Sequence, residues 1–275
     1  MPLEGNADGI LLSLEQGLNV GLIATFDLAC CNAGDHLADV LTRQDLAAFD
    51  HVPVKRDGDV VGLLDKTSAS DRNGSRVQEA MDSLQGNMLI SAEAGILSFI
   101  ESADHPQCRL VLRDSRVDGI VTLSDLQKLP VRPAIFLLIT HLELLMLAWL
   151  RERSEQTSET KVLAELSDGR REKLEEEWDR LKANDLAIDR LSATQFCDKR
   201  VLLVRLGFPV PSKGAARTEL EKIENLRDSV AHAGDYALTR DNALNTIATV
   251  RKTRRWIGVL ERELNGSEDA ATGKP

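Results

Sequence analysis

Arg227 and His232 are the residues whose types and spacing point most directly to chemistry. A guanidinium can bind a phosphate and stabilise charge that develops on it. An imidazole can take up or release a proton near neutral pH. Five positions along a regular helix leave two side chains about 140° apart. The pair therefore converges on one substrate only if the helix ends near His232, as Gly234 allows, or if a second subunit completes the site.

A second candidate site lies in the segment Gly119–Asp125, which reads Gly-Ile-Val-Thr-Leu-Ser-Asp. It closes a stretch, 109–126, that has a weaker copy 57 positions earlier, at 52–69. Aligning the glycines superposes Arg113-Asp114 on Arg56-Asp57, and each copy reads as a β-run, a polar turn and a second β-run. A β-α-β-β-α unit repeated in this way pairs with its copy, because one unit cannot bury its sheet alone. The preceding helices have apolar spacing at Leu37, Val40 and Leu41 and at Ile96, Phe99 and Ile100.

The two copies, over about residues 15–130, resemble tandem cystathionine-β-synthase-type (CBS) domains. In that family a G-h-h-T-x-x-D segment, with h apolar, binds adenosine nucleotides, and only the second copy has it intact. The resemblance implies that Asp125 accepts both ribose hydroxyls, and that Thr122 and a helix N-terminus face a phosphate. The resemblance also implies that a strand near residues 89–90 would supply apolar walls and backbone groups to the adenine. The predicted nucleotide-binding residues are Thr122, Asp125, Gly119, Leu89, Ile90 and Val111.

The first copy departs from this pattern, since Asp65 replaces the threonine and Ser68 the aspartate. A carboxylate repels a phosphate, and a serine cannot hold a diol through two oxygens. We therefore expect one working site, with AMP, ADP or ATP as a regulatory ligand and no catalytic cofactor or metal. The alternative is a CBS pair that serves only as a dimerisation scaffold.

Charge divides the 275-residue chain at about residue 130. Residues 1–130 carry 10 Lys and Arg against 20 Asp and Glu, whereas residues 131–275 carry 24 of each. The first part is a poor polyanion binder, so any nucleic acid must meet the second. Four cysteines show neither a C-x-x-C pair nor a disulfide framework, and the N-terminus has no signal-peptide pattern, which favours the cytoplasm.

The second part of the chain reads as helical throughout. Pro130 and Pro133 separate it from the repeats, and its apolar run 134–150 contains Glu143, so we expect a buried helix and not a membrane span. A polar loop or frayed turn at 153–160 and a disordered tail at 267–275 are also expected. The predicted helices cover 134–152, 168–187, 192–207, 215–233 and 241–265.

Residues 131–265 resemble the HEPN family of small helical bundles, many of which are RNA endonucleases. Arg227 and His232 match its R-x(4–6)-H signature, and Glu143 on an apolar first helix fits as well. The resemblance implies metal-free RNA cleavage in a dimer, with the 2′-hydroxyl as nucleophile and 2′,3′-cyclic phosphate and 5′-hydroxyl ends as products. Asp228 would orient Arg227, and Glu143 would pair with the motif, because a carboxylate among apolar residues needs a partner.

The last helix has the densest basic cluster, and Arg251, Arg254 and Arg255 share one face that suits RNA phosphates. An ordinary solvated face is the alternative. His141, on the apolar helix, is expected to be a core or interface residue.

These features predict an α+β chain: a tandem CBS pair at 1–130 and an all-α, HEPN-like bundle at 131–275. The expected function is a nucleotide-regulated, metal-independent endoribonuclease of the toxin or defence type, acting as a homodimer. One alternative is a non-catalytic nucleotide sensor with a helical dimerisation or docking domain. Another is a bundle that acts as antitoxin or substrate of a nucleotidyltransferase partner.

Overall fold

The computed structural model describes residues 17–69, 76–184, 188–232 and 234–272, with side chains as far as residue 266. The described chain forms two compact units. The repeat unit comprises residues 17–131 and 237–247, and the helical unit comprises 132–236 and 248–272. A single boundary after residue 130 was expected. In the structure, residues 237–247 also belong to the repeat unit. There Oε1 of Gln127 accepts hydrogen bonds from the backbone N–H groups of Ala237 and Leu238.

The first repeat forms a four-stranded sheet in the order β1-β2-β3-β4. Strand β1 runs parallel to β2, and the other neighbours are antiparallel. Apolar residues of the strands and short helices make a core within this repeat. The elements are β1 Cys31–Asn32, α1 Leu37–Thr42, β2 His51–Arg56, β3 Asp59–Asp65, α2 Lys66–Ala69, α3 Val77–Ala80 and β4 Asp82–Ser83.

The second repeat forms a three-stranded sheet in the order β5-β6-β7, again with a parallel first pair and an antiparallel hairpin. The strand expected near Leu89 and Ile90 is confirmed as β5. The elements are β5 Leu89–Ser91, α4 Ile96–Ser102, β6 Cys108–Arg113, β7 Arg116–Thr122 and a 3₁₀ turn, Leu123–Gln127.

The two hairpins have the same register. Val54 pairs with Gly62 and Val111 with Gly119, 57 positions apart, and each pairing is followed by a β-bulge. The turns also match, since Asp57 and Asp114 both have positive φ, a conformation that Asp tolerates better than most residues. The repeat inferred from the sequence is therefore present in the backbone.

The segment leading into each repeat pairs with the hairpin of the other repeat. Thr25 bridges Ile120 of β7, and Asp82 pairs with Leu63 of β3, so the 57-residue offset extends to these segments. The sequence did not predict this exchange. The equivalent helices α1 and α4 are 59 positions apart and not 57. Compared with the first repeat, the second has two more residues before its first strand, β5, and two fewer from the start of its helix, α4, to the hairpin.

The helical unit is built from long helices, as predicted, with different ends. The segment 153–160, expected as a loop or a frayed turn, is helical to Gln156, since Glu, Arg and Gln are good helix formers. Ser158 caps the next helix. The last helix continues through Asn265-Gly266 to Thr272, so the tail predicted to be disordered is helical as far as it is described. Predicted residues 185–187, 233 and 273–275 lie outside the described part. The helices are α5 Val131–Gln156, α6 Glu159–Leu163, α7 Asp168–Lys182, α8 Phe196–Arg205, α9 Lys213–Ala231 and α10 Arg240–Thr272, with a 3₁₀ turn at Arg190–Ala193. The first residues of α10, as far as 247, belong to the repeat unit.

Helix α5 is long and apolar enough to cross a membrane by length and composition alone. Its most apolar 18-residue window has a mean hydropathy of 1.9, and 56% of that window is buried inside the protein. Trp149 near its end packs edge-on against Phe208 at 5.3 Å, and Phe208 lies 5.9 Å from the ring of Trp256. These contacts are those of a helix in a protein core.

Candidate functional site

Asp125 lies in the 3₁₀ turn directly after β7 and is only 7% exposed. Its Oδ2 accepts the backbone N–H of Thr122 at 2.6 Å and the Thr122 hydroxyl at 3.1 Å. Both bonds run from Thr122 to the carboxylate and fix it at the end of the strand, and the two residues hold the N-cap and third positions of a capping box. The threonine and the aspartate predicted to bind nucleotide are therefore brought together.

The element that carries Asp125 is shorter than expected. The sequence predicted a helix whose N-terminus would face a phosphate, but the structure has a five-residue 3₁₀ turn that ends at Gln127. Pro130 disfavours a helical conformation at Leu129, so the turn is not extended. A single turn has little of the dipole that a long helix concentrates at its N-terminus. A phosphate at this position would therefore gain little from a helix dipole.

Lys128 supplies a cation that the sequence reasoning missed. Its Nζ lies 2.7 Å from Oδ1 of Asp125. The same ammonium donates to the carbonyl of Ile23 at 2.5 Å and lies 3.4 Å from Oγ1 of Thr25. A lysine three residues after the aspartate of the motif was the signal that could have found it, because positions i and i+3 are neighbours in a helical turn.

The strand register sorts the predicted apolar residues onto two faces. Ile90 pairs with Val111, which pairs with Gly119, so these three form one row across the sheet. Leu89 lies in the next row and packs with Leu110 in a cluster that includes residues of the first repeat. Successive side chains of a strand point to opposite faces. The side chains of Leu89 and Ile90 therefore lie on opposite faces of the sheet, and only Ile90 shares a row with Val111 and Gly119.

Phe26 is a further residue at this site that the sequence reasoning missed. Its ring packs on Gly119, where an added Cβ would lie 2.9 Å from two ring carbons. The guanidinium of Arg113 stacks 4.0 Å from the ring centroid and bonds Asp118 through Nε at 2.9 Å and Nη2 at 2.6 Å. The glycine of the motif is therefore needed for the approach of an aromatic ring.

At the equivalent end of β3 the carboxylate is that of Asp65, which stands where the second repeat has Thr122. Oδ1 of Asp65 accepts the backbone N–H of Thr67 at 2.9 Å, and the Ser68 hydroxyl donates to the Asp65 carbonyl at 3.2 Å. The Ser68 hydroxyl is therefore bonded to the backbone of its own turn. The first repeat keeps the turn but has no carboxylate where Asp125 stands.

In the helical unit, Arg227 faces Glu143 as predicted. Nε of Arg227 lies 3.5 Å from Oε2 of Glu143, within ion-pair range but without hydrogen-bond geometry, and Nη1 lies 3.4 Å from Asp228. Glu143 also accepts from Lys199, whose Nζ is 3.0 Å away and donates to the carbonyl of Thr194 at 2.5 Å. Lys199 is buried, and the sequence reasoning missed it. The apolar residues Phe196, Leu202 and Leu203 around it on α8 were the available signal.

His232 lies at the C-terminal end of α9, where its backbone N–H donates to the carbonyl of Asp228. Its side chain is exposed. Arg132 closes this helix end by donating to the carbonyls of Ser229 at 3.4 Å and Gly234 at 3.1 Å. No hydrogen bond or ion pair in the described part of the chain joins Arg227 to His232. The structure therefore turns Arg227 toward α5 and leaves His232 at the surface.

The predicted RNA-binding arginines have protein partners. Arg255 forms an ion pair with Glu219, which also accepts from Nε1 of Trp256 at 3.3 Å. Burial alone would raise the pKa of Glu219, but the hydrogen bond from Arg255 holds it below its usual range. Arg251 and Arg254 have partners as well. His141 is buried in α5, as expected for a core residue.

Among the residues with described positions, no group of three or more His, Cys, Asp or Glu side chains could hold a metal ion.

No protein-family model and no curated protein sequence matches this chain. Solved CBS-domain structures match it over about half its length. The CBS domain of a bacterial CNNM/CorC-family Mg²⁺ transporter in complex with ATP is 17% identical, with a TM-score of 0.38, over 47% of this chain and 97% of that one. A CBS domain protein of unknown function from Thermoplasma acidophilum is 22% identical (TM-score 0.35; 42% and 71%). The CBS domains of a transcriptional regulator from Streptococcus pneumoniae are 17% identical (TM-score 0.34; 38% and 92%).

These likenesses concern the half of the chain in which CBS domains were predicted. The HEPN resemblance of the second half has no support from these comparisons.

Proposed function

We propose that this protein is an adenine-nucleotide sensor whose second repeat binds AMP, ADP or ATP and whose helical unit transmits the signal as a non-catalytic dimerisation or docking domain. The observation that carries the proposal is the carboxylate of Asp125, buried and fixed by Thr122 at the end of β7. A buried carboxylate held in place is suited to accept hydroxyl groups of a sugar, because its orientation is set before binding.

The contrast between the repeats supports a single site. Thr122 and Asp125 of the second repeat correspond to Asp65 and Ser68 of the first, so only one copy presents a carboxylate three residues after the strand. The one nucleotide would then bind in the acidic half of the chain, where Lys128 is the cation next to the carboxylate.

Titration calorimetry of the whole chain with ATP, ADP and AMP tests the proposal. We expect one nucleotide per chain, and Asp125→Asn should weaken binding by about 10- to 100-fold, since a hydrogen bond to a charged group contributes about 1.5–3 kcal/mol. Ser68→Ala is the matched control at the equivalent position of the first repeat and should leave affinity unchanged. Equal affinities of wild type and Asp125→Asn would overturn the proposal.

The non-catalytic assignment of the helical unit rests on the contacts of Arg227. Its guanidinium lies against Glu143 and Asp228, while the buried Lys199 adds a second cation to Glu143. These groups form an ion-pair network among α5, α8 and α9. Such networks specify packing and need no substrate. Part of the proposal is a cytoplasmic homodimer whose stability depends on nucleotide, which sedimentation velocity with and without ATP would detect.

Metal-independent RNA cleavage is the second candidate function. The exposure of His232 at the C-terminal end of α9 favours it, because an exposed imidazole can reach a bound RNA. Arg227 would bind the scissile phosphate and His232 would transfer the proton of the 2′-hydroxyl or of the leaving 5′-oxygen. Arg251, Arg254 and Arg255 would bind the RNA backbone.

An RNA cleavage assay in EDTA, with and without adenine nucleotides, separates the two candidates. Ribonuclease activity would leave 2′,3′-cyclic phosphate ends and fall by at least about 100-fold in Arg227→Ala and in His232→Ala, the range of a lost proton-transfer group. Arg217→Ala, an exposed arginine on the same helix, is the matched control. RNA left intact by the folded wild type supports the non-catalytic assignment.

A further inference from the structure

The ammonium of Lys128 is bound by three acceptors that converge on it. These are Oδ1 of Asp125 at 2.7 Å, the carbonyl of Ile23 at 2.5 Å and, more distantly, Oγ1 of Thr25 at 3.4 Å. An ammonium has three donors and no acceptor, so these groups match its full capacity. Ile23 and Thr25 belong to the segment that pairs with β7, which places the ammonium between that segment and the turn that follows the strand.

Most of the hydrogen-bond acceptor positions of the Asp125 carboxylate are already in use. Oδ2 accepts two hydrogen bonds from Thr122, and Oδ1 accepts the ammonium of Lys128. A carboxylate offers about four lone-pair sites, so one remains where the two hydroxyls of a ribose need two. The backbone N–H of Thr122 cannot leave without opening the turn. Lys128, with 40% of its side chain exposed, can leave by rotating its stem.

We propose that Lys128 makes this site selective for phosphorylated over uncharged adenosine ligands. The proposal rests on the nucleotide-binding function assigned to Asp125. Binding of a ribose displaces the ammonium from Asp125, which opposes every ligand of this class equally. Only a ligand that carries a phosphate gives the released ammonium a new partner, because lysine binds phosphate as a mobile point charge. Adenosine receives no such compensation.

Calorimetry with adenosine and AMP, on wild type and Lys128→Met, measures this selectivity. Methionine keeps an unbranched apolar stem and removes the charge. We expect adenosine to bind at least about tenfold more tightly to the variant, while AMP gains much less, so that the preference for AMP over adenosine falls at least about tenfold. Lys66→Met is the matched control, since Lys66 of the first repeat also donates to a backbone carbonyl, that of Leu46 at 2.6 Å. It should leave the preference unchanged.

Lys128→Arg keeps the charge and should keep the preference, which separates the role of charge from any loss of folding. An unchanged preference in Lys128→Met, with AMP still bound, overturns the role of Lys128 and leaves the nucleotide site standing. Absence of binding of AMP and adenosine to wild type and to Lys128→Met overturns both. Tighter adenosine binding by Lys128→Met, with AMP affinity little changed, supports both.

Discussion

The two repeats share one backbone and differ in the placement of a single carboxylate. Their hairpins have the same register and the same bulge, and each has an aspartate with positive φ in the turn. At the end of the hairpin the second repeat has Thr122 and Asp125, whereas the first has Asp65 and Ser68. Register and turn depend on backbone geometry and a few residues that permit it. The proposed ligand site depends on two side chains, and the first repeat has the same backbone without them.

The largest expected effect is the transfer of the site from one repeat to the other. Asp65→Thr combined with Ser68→Asp rebuilds the capping box of the second repeat in the first. We expect two nucleotides per chain in calorimetry instead of one. The reverse exchange, Thr122→Asp with Asp125→Ser, should remove the original site. A folded double variant that still binds one nucleotide would show that the first repeat lacks more than these two residues.

Alanine at the two equivalent glycines should destabilise the repeats unequally. A Cβ on Gly62 would lie 2.5 Å from the backbone carbonyl of Asp82, whereas one on Gly119 would meet the ring of Phe26 at 2.9 Å. A ring can rotate away more readily than a paired strand can shift. Gly62→Ala should therefore cost about 1–3 kcal/mol of unfolding free energy in urea denaturation, and Gly119→Ala less.

The Gly119 variant has a rescue that the Gly62 variant lacks. Phe26→Leu, combined with Gly119→Ala, removes the clash and should recover part of the loss. Equal destabilisation by the two single substitutions would contradict the difference between a ring and a backbone neighbour.

Buried cysteines of the two repeats should differ in reactivity. Burial raises the pKa of Cys108 to about 12, with Asp125 and Asp65 adding to the shift, and burial with Asp35 raises the pKa of Cys31 to about 11. The thiolate is the reactive form, and its population falls about tenfold for each unit by which the pKa exceeds the pH. At pH 9 iodoacetamide should modify Cys31 of the native protein faster than Cys108, as measured by peptide mass mapping. Both rates should rise about tenfold from pH 8 to 9, and equal rates at pH 9 would indicate reaction through unfolding.

The smallest expected difference concerns the hairpin arginines. Arg113 stacks on Phe26 and bonds Asp118, whereas the equivalent Arg56 makes a single hydrogen bond to Gln78 at 3.2 Å. A cation–π contact at a partly exposed site contributes about 0.5–1 kcal/mol, so Arg113→Ala should lower the unfolding free energy by that amount. Arg56→Ala should change it by less than about 0.5 kcal/mol. A larger loss in Arg56→Ala than in Arg113→Ala would contradict this ranking.

The sequence was sufficient for features that repeat locally. Gly62 and Gly119, with the Arg-Asp pairs before them, predicted the hairpins and their offset, because a turn and its bulge are set by nearby residues. The exchange of leading segments, Thr25 to β7 and Asp82 to β3, could not be predicted in the same way. It joins residues far apart in the chain, and neither segment has a strand pattern of its own.

In the candidate sites, too, the sequence predicted some side-chain contacts and missed others. The sequence paired Arg227 with Glu143 because a carboxylate in an apolar helix requires a cation, and the structure has that pair. It missed Lys199 and Lys128, whose partners include the backbone carbonyls of Thr194 and Ile23. Carbonyl groups occur at every residue, so composition does not reveal which of them will bind an ammonium.

The discontinuous repeat unit has a consequence for anyone dividing this protein. The chain leaves that unit after residue 131 and returns for residues 237–247, where the N–H groups of Ala237 and Leu238 bond Gln127. A fragment that ends at residue 131 would lack residues 237–247 and their hydrogen bonds to Gln127, which is two positions after Asp125. Fusing only the first stretch of the repeat unit to another domain would therefore leave part of that unit behind, and a transplant must carry both stretches.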